Sequence, residues 1–322
     1  MNNIRRLLLG ALVAGGFPAT LAALEPKTPR TVTVEAVITA QGWPASSQMV
    51  QVWVPIPRSD EVQTVTDITL IAPGPVKMSR DHTFENQVAS FQVRVTNALA
   101  VTLRFTVVRR ERTGSASGSV LVNGLGYAPY LREERLVTQT PRVRKLADEV
   151  TRGKTHPLDQ VRALYTYVLK TMRYEKTTPG WGTGDTERAC DVHAGNCTDF
   201  HSLFVSLCRA KGIPAAFVMG CPLPLGGEGI ISGYHCWAEF YIEKKEWMAV
   251  DISEAWKRPD RAEQYFGWLD ADRVQWTVGR DVVLAPSQKG DPLNYLWGAY
   301  VEVDGQPYRD VACRLSSKVV SP

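Results

Sequence analysis

Little net charge, few cysteines and a single apolar run of any length mark this 322-residue sequence. Lys and Arg outnumber Asp and Glu by only 37 to 33, and outside the short stretch VVRRER the basic residues are scattered. Nucleic-acid binding would need a clustered basic footprint, so that class has no support. Six cysteines over this length do not make the dense framework of a small disulfide-stapled domain. The apolar run, Leu7 to Phe17, is shorter than the roughly 20 residues that cross a bilayer, and no later segment approaches that length. No internal repeat or low-complexity tract is present. With 44% hydrophobic residues the chain can fill sizeable cores, and its length suits two domains of ordinary size.

Arg5 and Arg6 precede the apolar run, and small residues follow it around Thr20 and Ala22. Residues 1–23 are therefore expected to be a signal peptide, and the protein to be exported, periplasmic or secreted, with no membrane span once mature. An uncleaved anchor is the competing reading. NIRRLLLG fits a twin-arginine signal while departing from its stricter form, so the export route stays open.

Two patterns divide the remainder. Over residues 31–112 apolar residues alternate, as in Val32, Val34 and Ala36, and again in Val101, Leu103, Phe105 and Val107. Period two marks half-buried strands, and turn signals at QGWPASS, PIPRSD, APGP and TNA separate them into an antiparallel sandwich of about six or seven strands. A Gly- and Ser-rich stretch spans 113–126 as a linker. Beyond it, over 127–322, the period becomes helical. Leu158, Val161, Leu164, Tyr165, Val168 and Met172 share one helix face. Residues 177–196 read as a loop. A second helix is expected from Cys197 to about Lys211, ended by Gly212 and Pro214. Strands follow at AAFVMG, YHCWAEFYI and WMAVDIS, with further strands near the C-terminus extending this region. The fold class is α+β: an all-β sandwich, then helices followed by an antiparallel sheet.

Cys197 carries the chemical interest. It stands at the first turn of the second helix, on the side of the apolar stripe Phe200, Leu203, Phe204, Leu207 and Cys208. A helix N-terminus favours a thiolate. If Cys197 stays free, five cysteines remain, so at least one other is unpaired within the chain. In YHCWAEFYI, His235, Trp237 and Glu239 lie on one face; in WMAVD, Trp247, Ala249 and Asp251 do. A hairpin centred on Glu243 sets His235 opposite Asp251, Trp237 opposite Ala249 and Glu239 opposite Trp247, within reach for a carboxylate to orient an imidazole. Asp270 and Asp272 lie outside this hairpin and are expected not to influence it. Thiolate, imidazole and carboxylate are the parts of covalent acyl transfer.

GNCTDFHSLFVSLCRAKGIPA, GYHCWAEFYI and WMAVDIS, in that order, resemble the transglutaminase-like superfamily over about Pro141 to Trp256. The resemblance implies a papain-like core, a nucleophile helix packed on an antiparallel sheet, with Cys197, His235 and Asp251 as the triad. It also implies chemistry at a carbonyl and leaves the substrate open; the expectation is attack on a peptide or Gln/Asn side-chain amide through a thioester. The β-rich region resembles domains that precede such cores in bacterial members. Asp199 matches the superfamily's C-x-D-F element; its residue-level reading is a carboxylate capping the first turn. Cys190 and Cys236 are outside the pattern. An oxyanion site would use the Cys197 amide and a side-chain donor, for which Trp181 and Tyr174 are candidates, and Trp237 could line a groove.

No cofactor or resident metal is implied by this reading. The expected partner is a peptide or protein amide, with hydrolysis favoured over amine transfer, since no motif for holding an amine is recognisable. Cys190, His193, Cys197 and His201 have spacings that could instead hold zinc. A non-catalytic binding module on the same fold is the third reading. Oligomeric state is open.

Overall fold

The computed structural model describes residues 28–116, 126–243 and 246–320. The expected signal peptide and residues 117–125 of the expected linker lie outside the described residues. The first region opens with β1 (Arg30–Gln41), β2 (Met49–Ile56), β3 (Gln63–Ile71), β4 (Lys77–Arg80), β5 (Gln87–Arg94) and β6 (Ala98–Arg109). Two short strands, β7 (Arg112–Thr113) and β8 (Ser115–Ala116), lead out of it.

The second region carries α1 (Pro141–Val150), α2 (Pro157–Thr171), β9 (Arg173–Tyr174), α3 (Thr186–Val192), β10 (Ala194–Gly195) and α4 (Cys197–Ala210). Then come β11 (Ala215–Pro222), β12 (Gly229–Ile231), β13 (His235–Ile242), β14 (Glu246–Val250), α5 (Ile252–Lys257), β15 (Trp268–Leu269) and β16 (Arg273–Val278). Three strands close the chain: β17 (Tyr300–Val303), β18 (Gln306–Tyr308) and β19 (Val311–Val319).

The sandwich forms as its alternation predicts. Val32, Val34, Ala36 and Ile38 of β1 face Val50, Val52, Val54 and Phe91 of the opposite sheet in one apolar cluster. Its composition differs from expectation. The sheets run β12-β19-β1-β6-β3 and β18-β17-β2-β5-β4, so four of their strands come from beyond residue 126. β19 pairs with β1 (Ala36 with Leu315) and β17 with β2 (Val301 with Val52). The C-terminal strands expected to extend the second region instead complete the first. Their alternation revealed a strand and could not reveal its partner, because the free edges of β1 and β2 offer the unpaired backbone groups that such strands need.

The second region's main sheet runs β16-β11-β13-β14-β8, all antiparallel. α4 packs on β13 and β11, through Phe200, Leu203, Phe204 and Leu207 with Ala238 and Phe240. Three helices were not anticipated: α5 replaces the end of the expected strand WMAVDIS beyond its Asp251 cap, and α1 and α3 are the others. α1 starts at a Thr140 cap followed by Pro141, and α3 starts where the Asp185 side chain accepts from the Glu187 and Arg188 amides, inside the stretch read as a loop. The seam between regions is apolar and continuous: Cys221, Leu223, Ile231, Val274 and Trp276 belong to the sandwich's own cluster.

Candidate active site

α4 begins at Cys197 because Asn196 and Asp199 close a reciprocal cap. The Asn196 side chain accepts from the Thr198 amide, and Asp199 accepts from the Asn196 amide at 2.9 Å. Asp199 also accepts from Gly182 at 2.7 Å and Gly184 at 3.1 Å, which ties the preceding loop to the helix start. Gly195 is required at this position, since a Cβ there would clash with the Asp199 carboxylate, which three backbone amides hold in place. Asp199 is thus a capping carboxylate, engaged by backbone amides from both the loop and the helix start.

The three residues read from sequence come together. Cys197 is only 3% exposed and clusters with Phe217, Met219 and Cys236, under Tyr174, Tyr234, Tyr295 and Trp297. The Cys197 thiol lies beside Cys236 and interacts with Cys236 and the His235 imidazole strongly enough to lower its pKa. His235 Nε2 lies 2.7 Å from Asp251 Oδ2. Asp251 is fully buried.

The hairpin register differs from the expected one by two residues. Glu239 pairs with Ala249 and Ile242 with Glu246, so the hairpin is centred on residue 244 rather than on Glu243. A slip of two residues preserves the face, because the pleat repeats every two. Asp251 therefore stays on the side of His235 and reaches it diagonally, one residue past β14, where it also caps α5 by accepting from the Glu254 amide at 3.0 Å.

Electrostatics follow from this packing. The Cys236 hydrogen bond, together with the His235 imidazolium, holds the Cys197 thiol well below its ordinary value in spite of burial. Burial keeps Cys236 protonated, its pKa well above the ordinary value. Burial disfavours charge on His235, yet the Asp251 and Cys197 charges push it up to about 10. Asp251, although buried, is held well below the usual range by His235 and Arg273.

Arg273 and Tyr234 escaped the sequence reading as neighbours of the site, and His201 was read there only as a candidate zinc ligand. Arg273 donates through Nη1 to Asp251 Oδ2 at 2.8 Å. Its sequence signal, a lone Arg after two aspartates, names no partner. His201 bridges the elements from within α4: its Nδ1 donates to the Cys197 carbonyl at 2.8 Å and its Nε2 accepts from the Ile252 amide at 2.9 Å. The Tyr234 hydroxyl accepts from Asn196 at 2.8 Å and Thr198 at 3.2 Å; it immediately precedes His235, and aromaticity alone did not distinguish it.

Of the other candidates, Tyr174 packs between Phe200 and Trp256 beside the thiol cluster. Trp181 is 39% exposed, next to Gly182 on the loop held by Asp199. Trp237 is completely buried in a third apolar cluster, beneath His235 and Arg273, so it lines no groove. The zinc alternative is not assembled: among the described residues no three His, Cys, Asp or Glu gather as metal ligands would. All six cysteines are free. Among the described residues no helix is long and apolar enough to cross a membrane.

Residues 144–252, which hold Cys197, His235 and Asp251, match the profile described as Transglutaminase-like superfamily. An uncharacterized protein from Haemophilus influenzae is 28% identical over an alignment covering 56% of each chain, so this chain spans little more than half the length of that curated relative. The crystal structure of a candidate cysteine protease from Cytophaga hutchinsonii superposes with a TM-score of 0.62 at 16% identity, covering 92% of this chain and 93% of that one. The periplasmic domain of TgpA from Pseudomonas aeruginosa gives a TM-score of 0.37 at 17% identity, over 74% of this chain and 94% of that domain. Residues 144–252 are thus similar to the transglutaminase-like superfamily, and the chain as a whole shares its fold with the Cytophaga hutchinsonii structure.

Proposed function

We propose that the protein is an exported cysteine-dependent acyl-transfer enzyme that attacks an amide of a peptide or protein and hydrolyses the resulting thioester. The observation that carries this reading is the contact chain Cys197, His235, Asp251, with the thiol at a helix start and the carboxylate 2.7 Å from the imidazole. The Cys197 thiolate attacks the carbonyl carbon, and the oxyanion is proposed to be met by the Cys197 backbone amide at the start of α4. His235 gives its proton to the departing amine, leaving a thioester on Cys197. Water then enters, His235 takes its proton, and the carboxylic acid leaves with Cys197 returned as the thiolate beside protonated His235. Asp251 holds the ring's orientation and supports its charge throughout. Tyr174 and Trp181 flank the approach and are proposed to line it. Export rests on the sequence of residues 1–23.

The slight exposure of Cys197 favours one second reading, a binding module whose thiol is closed off under Tyr234 and Trp297. Limited labelling of wild type and Cys197→Ser with iodoacetamide at pH 6, read by intact mass and peptide mapping, separates the two. A single adduct at Cys197, absent in Cys197→Ser, is expected. Modification of Cys190 or Cys236 alone moves the nucleophile elsewhere, and an unlabelled wild type supports the binding module.

A further inference from the structure

We infer that Arg273, braced by Asp270, is a positioning residue that locks the Asp251 carboxylate in the one orientation that aligns the His235 ring with Cys197. This inference rests on the proposed acyl-transfer reading and deepens it.

Arg273 is buried at the start of β16, and its guanidinium uses both edges. Nη1 donates to Asp251 Oδ2 at 2.8 Å, while Nη2 and Nε grip Asp270 at 2.7 and 3.2 Å. The plane lies over the Trp237 ring, 5.2 Å from its centroid, and the same ring stands beside His235. Asp270 thus fixes the fork, Trp237 supports it, and Asp251 receives its remaining donor.

The Asp251 carboxylate is saturated as a result. Oδ2 accepts from His235 and Arg273; Oδ1 accepts from Ser253 Oγ at 3.1 Å and the Glu254 amide at 3.0 Å. Turning the carboxylate would disturb charged bonds on one oxygen and the α5 cap on the other. In sequence from the outside inward the charges alternate: Asp270, Arg273, Asp251, His235, Cys197. The other ionisable groups facing the pair are His201, 3.7 Å from Asp251 Oδ1, Cys236 beside the thiol, Glu254 and Lys257 on α5, and Tyr165 and Tyr265 behind. The side-chain donors to Oδ2 are therefore His235 and Arg273, and the second of these sets where the first must point.

Positioning and plain charge predict opposite signs. By charge alone, a cation one carboxylate away disfavours the His235 imidazolium, so deleting it would raise the His235 midpoint. If Arg273 instead aims Asp251, deleting it frees the carboxylate to turn and the midpoint falls. An ammonium at this position keeps the charge and loses the planar fork. His235 is titrated by NMR in wild type, Arg273→Gln and Arg273→Lys, and the pH midpoint of Cys197 alkylation is followed in parallel, with circular dichroism as the folding control.

The expected result for Arg273→Gln is a fall of the His235 midpoint by about one unit, with the alkylation midpoint rising by a similar amount, each a roughly tenfold weakening of the ion pair. Arg273→Lys should show the same two signs at smaller size, and carries the test if the Gln variant does not fold. A raised or unchanged His235 midpoint in the folded Gln variant, or wild-type behaviour of Arg273→Lys, overturns the positioning role. Failure of wild-type Cys197 to alkylate would instead sink the acyl-transfer reading, and the His235 titration would still report on Arg273.

Discussion

β1 and α4 are similar in residue count and opposite in what surrounds them. β1 buries alternate residues from Val32 to Ala40 and leaves most of those between partly open. α4 buries everything from Cys197 to Arg209, polar residues included. The sandwich strand is specified by a period, with the hydrophobic effect as its main driving force. The helix is specified by a period plus a set of individual partners: His201 with Cys197 and Ile252, Ser202 with Arg280, Ser206 with Thr138, Arg209 beside Glu134. Each buried polar group is costly unless paired, so such a helix tolerates few substitutions and serves as a fixed platform for the thiol.

The contrast invites separating the two regions, and the largest expected effect comes from doing so. A chain beginning at Gly126 would leave β17 and β19 without β2 and β1, and would uncover Cys221, Leu223, Val274 and Trp276. It should fail to fold as a soluble unit, contrary to what two self-contained apolar patterns imply. Size-exclusion chromatography and circular dichroism against the full chain test this; a soluble truncated chain with an ordered α/β spectrum would show that the seam is dispensable.

How much the sequence revealed follows the same division. Period two was sufficient for the strands of the sandwich, and period 3.6 with its caps for α2 and α4. Face parity put His235 and Asp251 together even though the register was off by two residues, since an even slip changes the neighbour and not the side. What stayed hidden depends on pairing between distant segments. Nothing near Val311 names β1 as its partner, and nothing near Arg273 names Asp251. Asp270, expected to be uninvolved, grips Arg273 for the same long-range reason. The apolar stripe of α4 did not reveal that its polar residues are buried as well, because a period cannot distinguish water from a buried partner.

Ion pairs sharpen the comparison at the next scale. At the seam, Arg112 and Glu239 meet at 2.7 Å, with side chains only 5% and 2% exposed. Glu239→Ala would leave a buried guanidinium uncompensated, a loss of about 3–5 kcal/mol. On the sandwich surface Arg104 pairs with Glu35, its own side chain 62% exposed, and Glu35→Ala should cost roughly 0–1 kcal/mol. Urea melts of both variants provide the measurement. Equal losses would mean that burial does not set the value of these pairs.

An effect that appears only in acid tests whether a polar partner inside α4 is as specific as its contacts imply. His201 donates from Nδ1 to a carbonyl and accepts at Nε2 from the Ile252 amide, so one neutral tautomer satisfies both bonds. A second proton at Nε2 would face that amide hydrogen. Burial lowers the His201 pKa to about 4 from an ordinary 6.5. For a base lowered on folding, the unfolded chain binds the proton first, so stability is full above about 6.5 and is lost progressively as pH falls toward 4. The loss should be about 1.4 kcal/mol at pH 5.5 and approach roughly 3 kcal/mol below pH 4. His235 acts at the other end: raised to about 10, it contributes stability that is fully present below 6.5 and lost as pH rises through 10. Asp251, held low, gives way only below the ordinary carboxylate range. A lowered Cys197 contributes an acid loss of its own, which His201→Gln leaves in place. Glutamine supplies one donor and one acceptor and does not titrate, so His201→Gln should melt less steeply with acid than wild type between pH 6.5 and 4. Parallel stability curves for the two proteins across that window would show that the neutral tautomer of His201 is not what the fold requires.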